Sequence, residues 1–203
     1  MLNKKKRNLA ILIALFLTCS IFVLTISSNY DIRNEDIDYN ISSLNISTIY
    51  SYTVINDILP GSTWEDAKSG GICTGSGTIG DPYLIEHDIF EYGSIGPGEC
   101  LEIRNSQKYF ILRNVTIRNA DQNSRGLYLE NVTNGLIDNC IVNNDAETGC
   151  TGIYMENVNN TEVRNSYIHD NTDNGLHLFD SHFNIISGNN ISANTDVGIY
   201  LDQ

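Results

Sequence analysis

Several patterns that would announce a known chemistry are missing from this chain. There is no H-E-x-x-H and no G-x-S-x-G, which removes the zinc-peptidase helix and the nucleophile elbow. No H-x-H, H-x-x-x-H or C-x-x-C grouping occurs, although His169, His177 and His182 invite a metal reading, so no metal site is expected and copper is disfavoured. No D-x-D-x-D run offers a ready calcium loop, which leaves calcium possible only through acids spread over several segments. Positive charge is also scarce. The 203 residues hold 12 Lys and Arg against 25 Asp and Glu. Four of the basic residues and none of the acids lie in residues 1–28, so the remainder carries 8 − 25 = −17. That field repels nucleic acid and anionic membranes, and it suits cation binding or plain solubility.

What is present begins with Lys4, Lys5, Lys6 and Arg7, followed by an apolar run from Leu9 to Ile26. This is the pattern of a secretory signal peptide, and it is also just long enough for a retained signal anchor. Small residues at Ser27 and Ser28 permit cleavage, but no A-x-A site marks it. Either outcome leaves the basic end inside and exports the rest, so the expected location is secreted or cell-surface. Membrane contact is expected through this segment alone. An exported chain with Cys73, Cys100, Cys140 and Cys150 suggests two disulfides. Cys73–Cys100 with Cys140–Cys150 is the local pairing, and the other two connectivities stay open.

The remaining sequence repeats itself. An apolar–aromatic–apolar triplet of the kind LYL, IYM, LHL and IYL follows Gly126, Gly152, Gly175 and Gly198, whose spacings are 26, 23 and 23. Eleven residues after the first three glycines stand Ile137, Val163 and Ile186, and sixteen after stand Val142, Ile168 and Ile191. The extra three residues fall between Val142 and Gly152, so one corner of the unit accepts insertion. The apolar period is two, which means strands. Units of this length cannot bury their own apolar face and must stack on copies of themselves, with successive strands parallel and ~4.8 Å apart. The expected fold is all-β: a single-stranded, right-handed parallel β-helix of about five turns. A leucine-rich repeat has a similar period, but its L-x-x-L-x-L-x-x-N signature is missing.

Asn114, Asn139 and Asn165 hold one equivalent position, and the fourth copy has Gly188 there with Asn189 next. Both residue types tolerate left-handed backbone angles. The expectation is an interior ladder of bonded amides running through Asn114, Asn139, Asn165 and Asn189. Arg113, Asp138 and Arg164 align one residue earlier as an outward charge ladder.

On this repeat, and on the opening GSGTIGDPYLI, the chain resembles the parallel β-helix proteins that include the pectate-lyase-like group and the NosD-type periplasmic proteins. The resemblance spans about residues 75–203. It implies the fold and an exported location. It leaves activity open, because that superfamily holds lyases, hydrolases, epimerases and non-catalytic surface proteins.

The expected organisation is residues 1–28 as signal or anchor, 29–74 as tether and N-terminal cap, and 75–203 as the repeat domain. The chain stops five residues into a new turn with no capping segment, so a longer protein or end-to-end stacking with a second copy is expected. Gly75, Gly77 and Gly80 match G-x-G-x-x-G, but Asp81-Pro82 follows and no helix does, so a turn is expected and not a nucleotide site. Sequons fall at Asn40, Asn45, Asn114, Asn131, Asn159 and Asn190, of which the tether pair is the plausible acceptor set.

In each triplet the middle residue points outward. The outward file is therefore Tyr128, Tyr154, His177 and Tyr200, beside a second file of Glu130, Glu156, Phe179 and Asp202. Rings that stack on sugar C–H faces beside carboxylates that accept hydroxyls make a candidate carbohydrate surface of Tyr128, Glu130, Tyr154, Glu156, His177, Tyr200 and Asp202. Glycoside cleavage needs two carboxylates ~5–5.5 Å or ~6.5–9.5 Å apart. Glu130 with Glu156, or Glu156 with Asp202, would approach those separations, yet any acidic solenoid offers such pairs. The expectation is a surface module that binds polysaccharide or glycan without catalysis. The alternatives are a carbohydrate-active enzyme and, from the NosD-type resemblance, a copper-site accessory protein.

Overall fold

The computed structural model describes residues 47–93 and 98–203, together with a two-residue antiparallel pairing of Phe16–Leu17 with Ser20–Ile21. The signal or anchor segment expected over 1–28, that pairing apart, and the greater part of the tether lie outside the described residues. Among the described residues no helix is long and apolar enough to cross a membrane.

The chain winds as a parallel β-solenoid with three strands to a turn, forming sheets of six, five and six strands. The first sheet contains Thr53–Asn56, Leu101–Ser106, Arg125–Val132, Thr151–Glu156, Leu176–Phe179 and Ile199–Asp202. The second contains Tyr83–Glu86, Phe110–Arg113, Gly135–Asp138, Glu162–Arg164 and Ile185–Ser187. The third contains Ile49–Tyr50, Ile89–Glu91, Thr116–Arg118, Ile141–Asn143, Tyr167–His169 and Asn190–Ser192. The sheets thus start with the strands at 49–56, earlier than the boundary at 75 read from the repeat.

Superposition follows the repeat. Ile153, Leu176 and Ile199 are registered partners in the first sheet, Ile137, Val163 and Ile186 in the second, and Val142, Ile168 and Ile191 in the third. The period-two pattern puts one side chain in two inside the coil, where its neighbours are the same positions one turn away. Leu127, Leu129, Ile137, Val142, Ile153 and Met155 are fully buried as a result.

Between the first strands of sheets one and two the chain departs into helix α1, Trp64–Ser69. Thr63 caps it: its Oγ1 accepts from the Asp66 amide at 3.3 Å, and the Asp66 carboxylate accepts from the Thr63 amide at 2.9 Å. The helix delivers Trp64 onto the Tyr83 ring at 4.8 Å and within 4° of parallel, with Trp64 Nε1 donating to Ser106 Oγ at 3.0 Å. The glycines of GSGTIG then make a tight turn. A Cβ at Gly75 would stand 2.0 Å from the Pro82 carbonyl oxygen, and one at Gly77 would stand 2.4 Å from the Tyr83 ring. Strand Tyr83–Glu86 follows, with no helix to hold a pyrophosphate.

The cysteines correct the expectation of two disulfides. Cys73, Cys100, Cys140 and Cys150 are free and buried. Each thiol points at a different carbonyl: Cys73 Sγ at Trp64 (3.7 Å), Cys100 Sγ at Arg118 (3.0 Å), Cys140 Sγ at Leu112 and Asp138 (3.5 Å each), and Cys150 Sγ at Asp121 (3.0 Å). Cys140 sits at the corner between sheets two and three, and Cys150 at the corner between sheets three and one. The winding therefore separates residues that lie close in sequence. Burial pushes the Cys73 and Cys140 thiols up to about 11 and Cys100 to about 12, which keeps them protonated and inert.

Candidate functional site

The outer face of the first sheet carries both expected files. Tyr128, Tyr154, His177 and Tyr200 are registered partners, as are Glu130, Glu156, Phe179 and Asp202. The files continue downward to Glu102 and Arg104. The rings stand edge to face: Tyr128 to Tyr154 at 5.6 Å and 69°, and Tyr154 to His177 at 4.6 Å and 70°. His177 and Tyr200 are 4.7 Å apart and tilted by 57°.

The lower part of this face is closed. Tyr128 is only 6% exposed and Glu102 only 1%. Arg104 and Arg125 lie over the Tyr128 ring, each 4.8 Å from its centroid, and Arg125 also covers Tyr154 at 4.9 Å. Arg104 Nε is 2.6 Å from Glu102 and 3.2 Å from Glu130, while Arg125 pairs with Glu99 at 2.9 Å. The Tyr128 hydroxyl donates to Glu156 at 2.6 Å. Desolvation, joined by that bond to Glu156, pushes the Tyr128 hydroxyl well above its ordinary range. Desolvation also raises Glu102, against the opposing pull of Tyr52 and Arg104. Glu156 is thus bound to Tyr128 and Glu130 to Arg104, and Tyr128, under two arginines, offers no open ring to a ligand.

The upper part is open. Tyr200 is 41% exposed, and Tyr154, His177 and Phe179 are half-buried. Burial lowers the affinity of His177 for a proton, and its Nε2 has no hydrogen-bond partner, so at neutral pH it behaves as a third aromatic ring between two tyrosines. Among the described residues no group of three His, Cys, Asp or Glu is placed to hold a metal ion.

The asparagine ladder differs from the expectation in place and membership. Asn114, Asn139 and Asn165 take left-handed angles, with φ of 53°, 55° and 52°, but their file faces outward at the corner. Asn139 Nδ2 donates to Asn114 Oδ1 at 2.6 Å, and Asn165 Nδ2 turns to Asp138 Oδ1 at 3.1 Å. Arg164 also grips Asp138 with two bonds of 3.1 Å, which competes for the acceptors and holds that carboxyl below its usual range. Asn189 is not in this file. Gly188 occupies the left-handed position, and Asn189 turns back to accept from the Ser166 amide at 2.9 Å and donate to the Val163 carbonyl at 2.7 Å.

The interior ladder consists of three other residues. Asn144 Nδ2 donates to Asn171 Oδ1 at 2.8 Å, and Asn171 Nδ2 to Asn194 Oδ1 at 2.8 Å. Asn144 and Asn171 are wholly buried. This ladder explains the repeat glycines. A Cβ at Gly126, Gly152 or Gly175 would meet Asn144, Asn171 or Asn194 Nδ2 at 2.6, 2.8 and 2.6 Å, so glycine is required for room and not for backbone angle. The sequence held the signal, since Asn171 and Asn194 each stand 19 residues after a repeat glycine. Asn144 stands 18 after its own, and the slip concealed the file.

A three-sheet parallel coil of this kind defines a β-solenoid protein whose available surfaces are the outer faces of its sheets. The right handed beta helix region family matches residues 99–203, just over half of the chain, and the chain belongs to that family. No curated protein and no solved structure matches it. Membership fixes the architecture and leaves the activity to the surface chemistry.

Proposed function

We propose that this chain is the β-helix part of a secreted or membrane-tethered surface protein that binds polysaccharide or glycan on the upper half of its first sheet, as a binding module and not a catalyst. The observation that carries this reading is the stack of Tyr154, His177 and Tyr200, which passes from half-buried to exposed beside Phe179 and Asp202. Aromatic edges and faces suit sugar C–H surfaces, and Asp202 supplies a hydroxyl acceptor. Binding is favoured over catalysis because Glu130 and Glu156, registered neighbours on this face, are held by Arg104 and Tyr128. Export rests on Lys4–Arg7 and the apolar run that follows, the cysteines lending it no support.

The test is a polysaccharide pull-down of the purified chain with assay of released sugar ends. Retention on at least one glycan, lost in Tyr154→Ala with Tyr200→Ala and without new reducing or unsaturated ends, is the expected result. Release of such ends would move the protein to the carbohydrate-active enzymes. No retention on any glycan would remove the reading.

A further inference from the structure

The outer face of the second sheet bears a groove that neither the repeat nor the first-sheet reading uses. Its floor is the registered file of Ile111, Leu136, Glu162 and Ile185, which puts aliphatic side chains on an exposed sheet face. Two residues before the last three of these, at the corner leading into the sheet, stand Asn134, Asn160 and Phe183. All three are in the left-handed region, with φ of 63°, 50° and 58°. Asparagine is suited to that position because its amide can bond locally, as Asn134 Nδ2 does to the Gln107 carbonyl and to Thr133 Oγ1. Phenylalanine has no such bond to make, and a bulky residue at these angles is strained. Nor does burial repay the strain, because Phe183 is 85% exposed. Phe183 stands at the edge of a groove of about 440 Å³ that Tyr109, Asn160 and Glu162 also line.

A strained, uncovered aromatic ring in a file otherwise made of asparagine has a cost with no return inside the coil. We propose that the groove is a second saccharide site, independent of the first sheet and selective for uncharged chains. Phe183 and Tyr109 offer rings, and Ile111 and Leu136 an apolar floor, to the C–H faces of successive sugars. Asn160 and Glu162 receive their hydroxyls. Uncharged sugars are favoured because Glu162, whose charge Arg164 meets at 3.6 Å, is the only charged residue among those lining the groove, and the chain carries a net −13. A polyuronate would meet like charge.

The experiment uses the whole chain carrying Tyr154→Ala and Tyr200→Ala, which removes the first-sheet contacts, and titrates uncharged gluco-, xylo- and manno-hexasaccharides against it, with hexagalacturonate as the anionic comparison. Phe183→Asn is then added. The expected result is binding of an uncharged hexasaccharide but not of hexagalacturonate, a tenfold or greater loss of affinity in Phe183→Asn, and a higher melting temperature for the same variant. Binding that Phe183→Asn leaves unchanged, or no uncharged hexasaccharide bound, would overturn the proposal. So would a concentration-dependent dimer that Phe183→Asn disperses, which would make the face an interface between copies.

Discussion

Asn165 and Asn171 are six residues apart and look alike in sequence, yet they hold the coil with very different force. Asn165 bonds Asp138 at an exposed corner, where water can replace the partner. Asn171 is wholly buried: it donates to the Asn194 side chain and to the Val142 carbonyl, and it accepts from Asn144. Removing its amide strands groups on two neighbouring turns, and an unmade buried hydrogen bond costs more than a made one contributes. In urea unfolding, Asn171→Ala is expected to lose about 2–3 kcal/mol and Asn165→Ala less than about 1 kcal/mol. The glycine partner follows the same logic. A methyl at Gly152 would lie 2.5 Å from the Gly175 carbonyl oxygen and 2.8 Å from Asn171 Nδ2, so Gly152→Ala should cost about 1–3 kcal/mol by overpacking, read in the same experiment.

Strands, corners and helix α1 differ in how much change they accept. The corner at Asp145–Thr148 is exposed and carries the three residues that lengthen one repeat. Closing a slightly longer loop there costs little, so three Gly-Ser residues inserted after Ala146 should change stability by less than about 1 kcal/mol. The same insertion after Val163 would turn the outward Arg164 of the second sheet inward and should prevent a cooperative melt by circular dichroism. Helix α1 depends on its cap, so Thr63→Ala should cost about 1 kcal/mol and loosen the Trp64–Tyr83 stack, visible as a red shift in tryptophan fluorescence. The strands were legible because inward residues alternate. The helix was not, since Trp64–Ser69 is too short to show a period of 3.6.

At the scale of the whole molecule, the buried acids of high pKa make the coil sensitive to alkali. An ordinary thiol ionises near 9.0, whereas the folded state holds Cys73 and Cys140 protonated to about 11 and Cys100 to about 12. The unfolded chain therefore releases protons first as pH rises. The stabilisation is fully present below about pH 9 and declines between pH 9 and 12, which denaturation curves across that range will show. Mass spectrometry after iodoacetamide should find no label on Cys73, Cys100, Cys140 or Cys150 in the native protein at pH 8, and label on all four after denaturation without reductant. Label on fewer than four would mean that a bond joins some of them.

The sequence by itself determined that the chain winds and which residues share a file. That information is local: a period of two sorts inside from outside, and each oily side stays dry only under the next turn, so Ile153 must lie beneath Leu176. Three things were decided only by the tertiary structure. The thiols stay apart because sequence neighbours were wound to different corners. Asn144 reaches the interior ladder with Asn171 and Asn194, although it stands one place earlier in its repeat, because the turn after Val142 lacks the left-handed residue that Asp170 and Ala193 provide in the turns above. Tyr128 is closed and Tyr200 open, although both face outward, because arginines from its own strand and the strand below lie over the Tyr128 ring. Pointing away from the core is a property of one strand, whereas being reachable depends on what neighbouring strands lay across it.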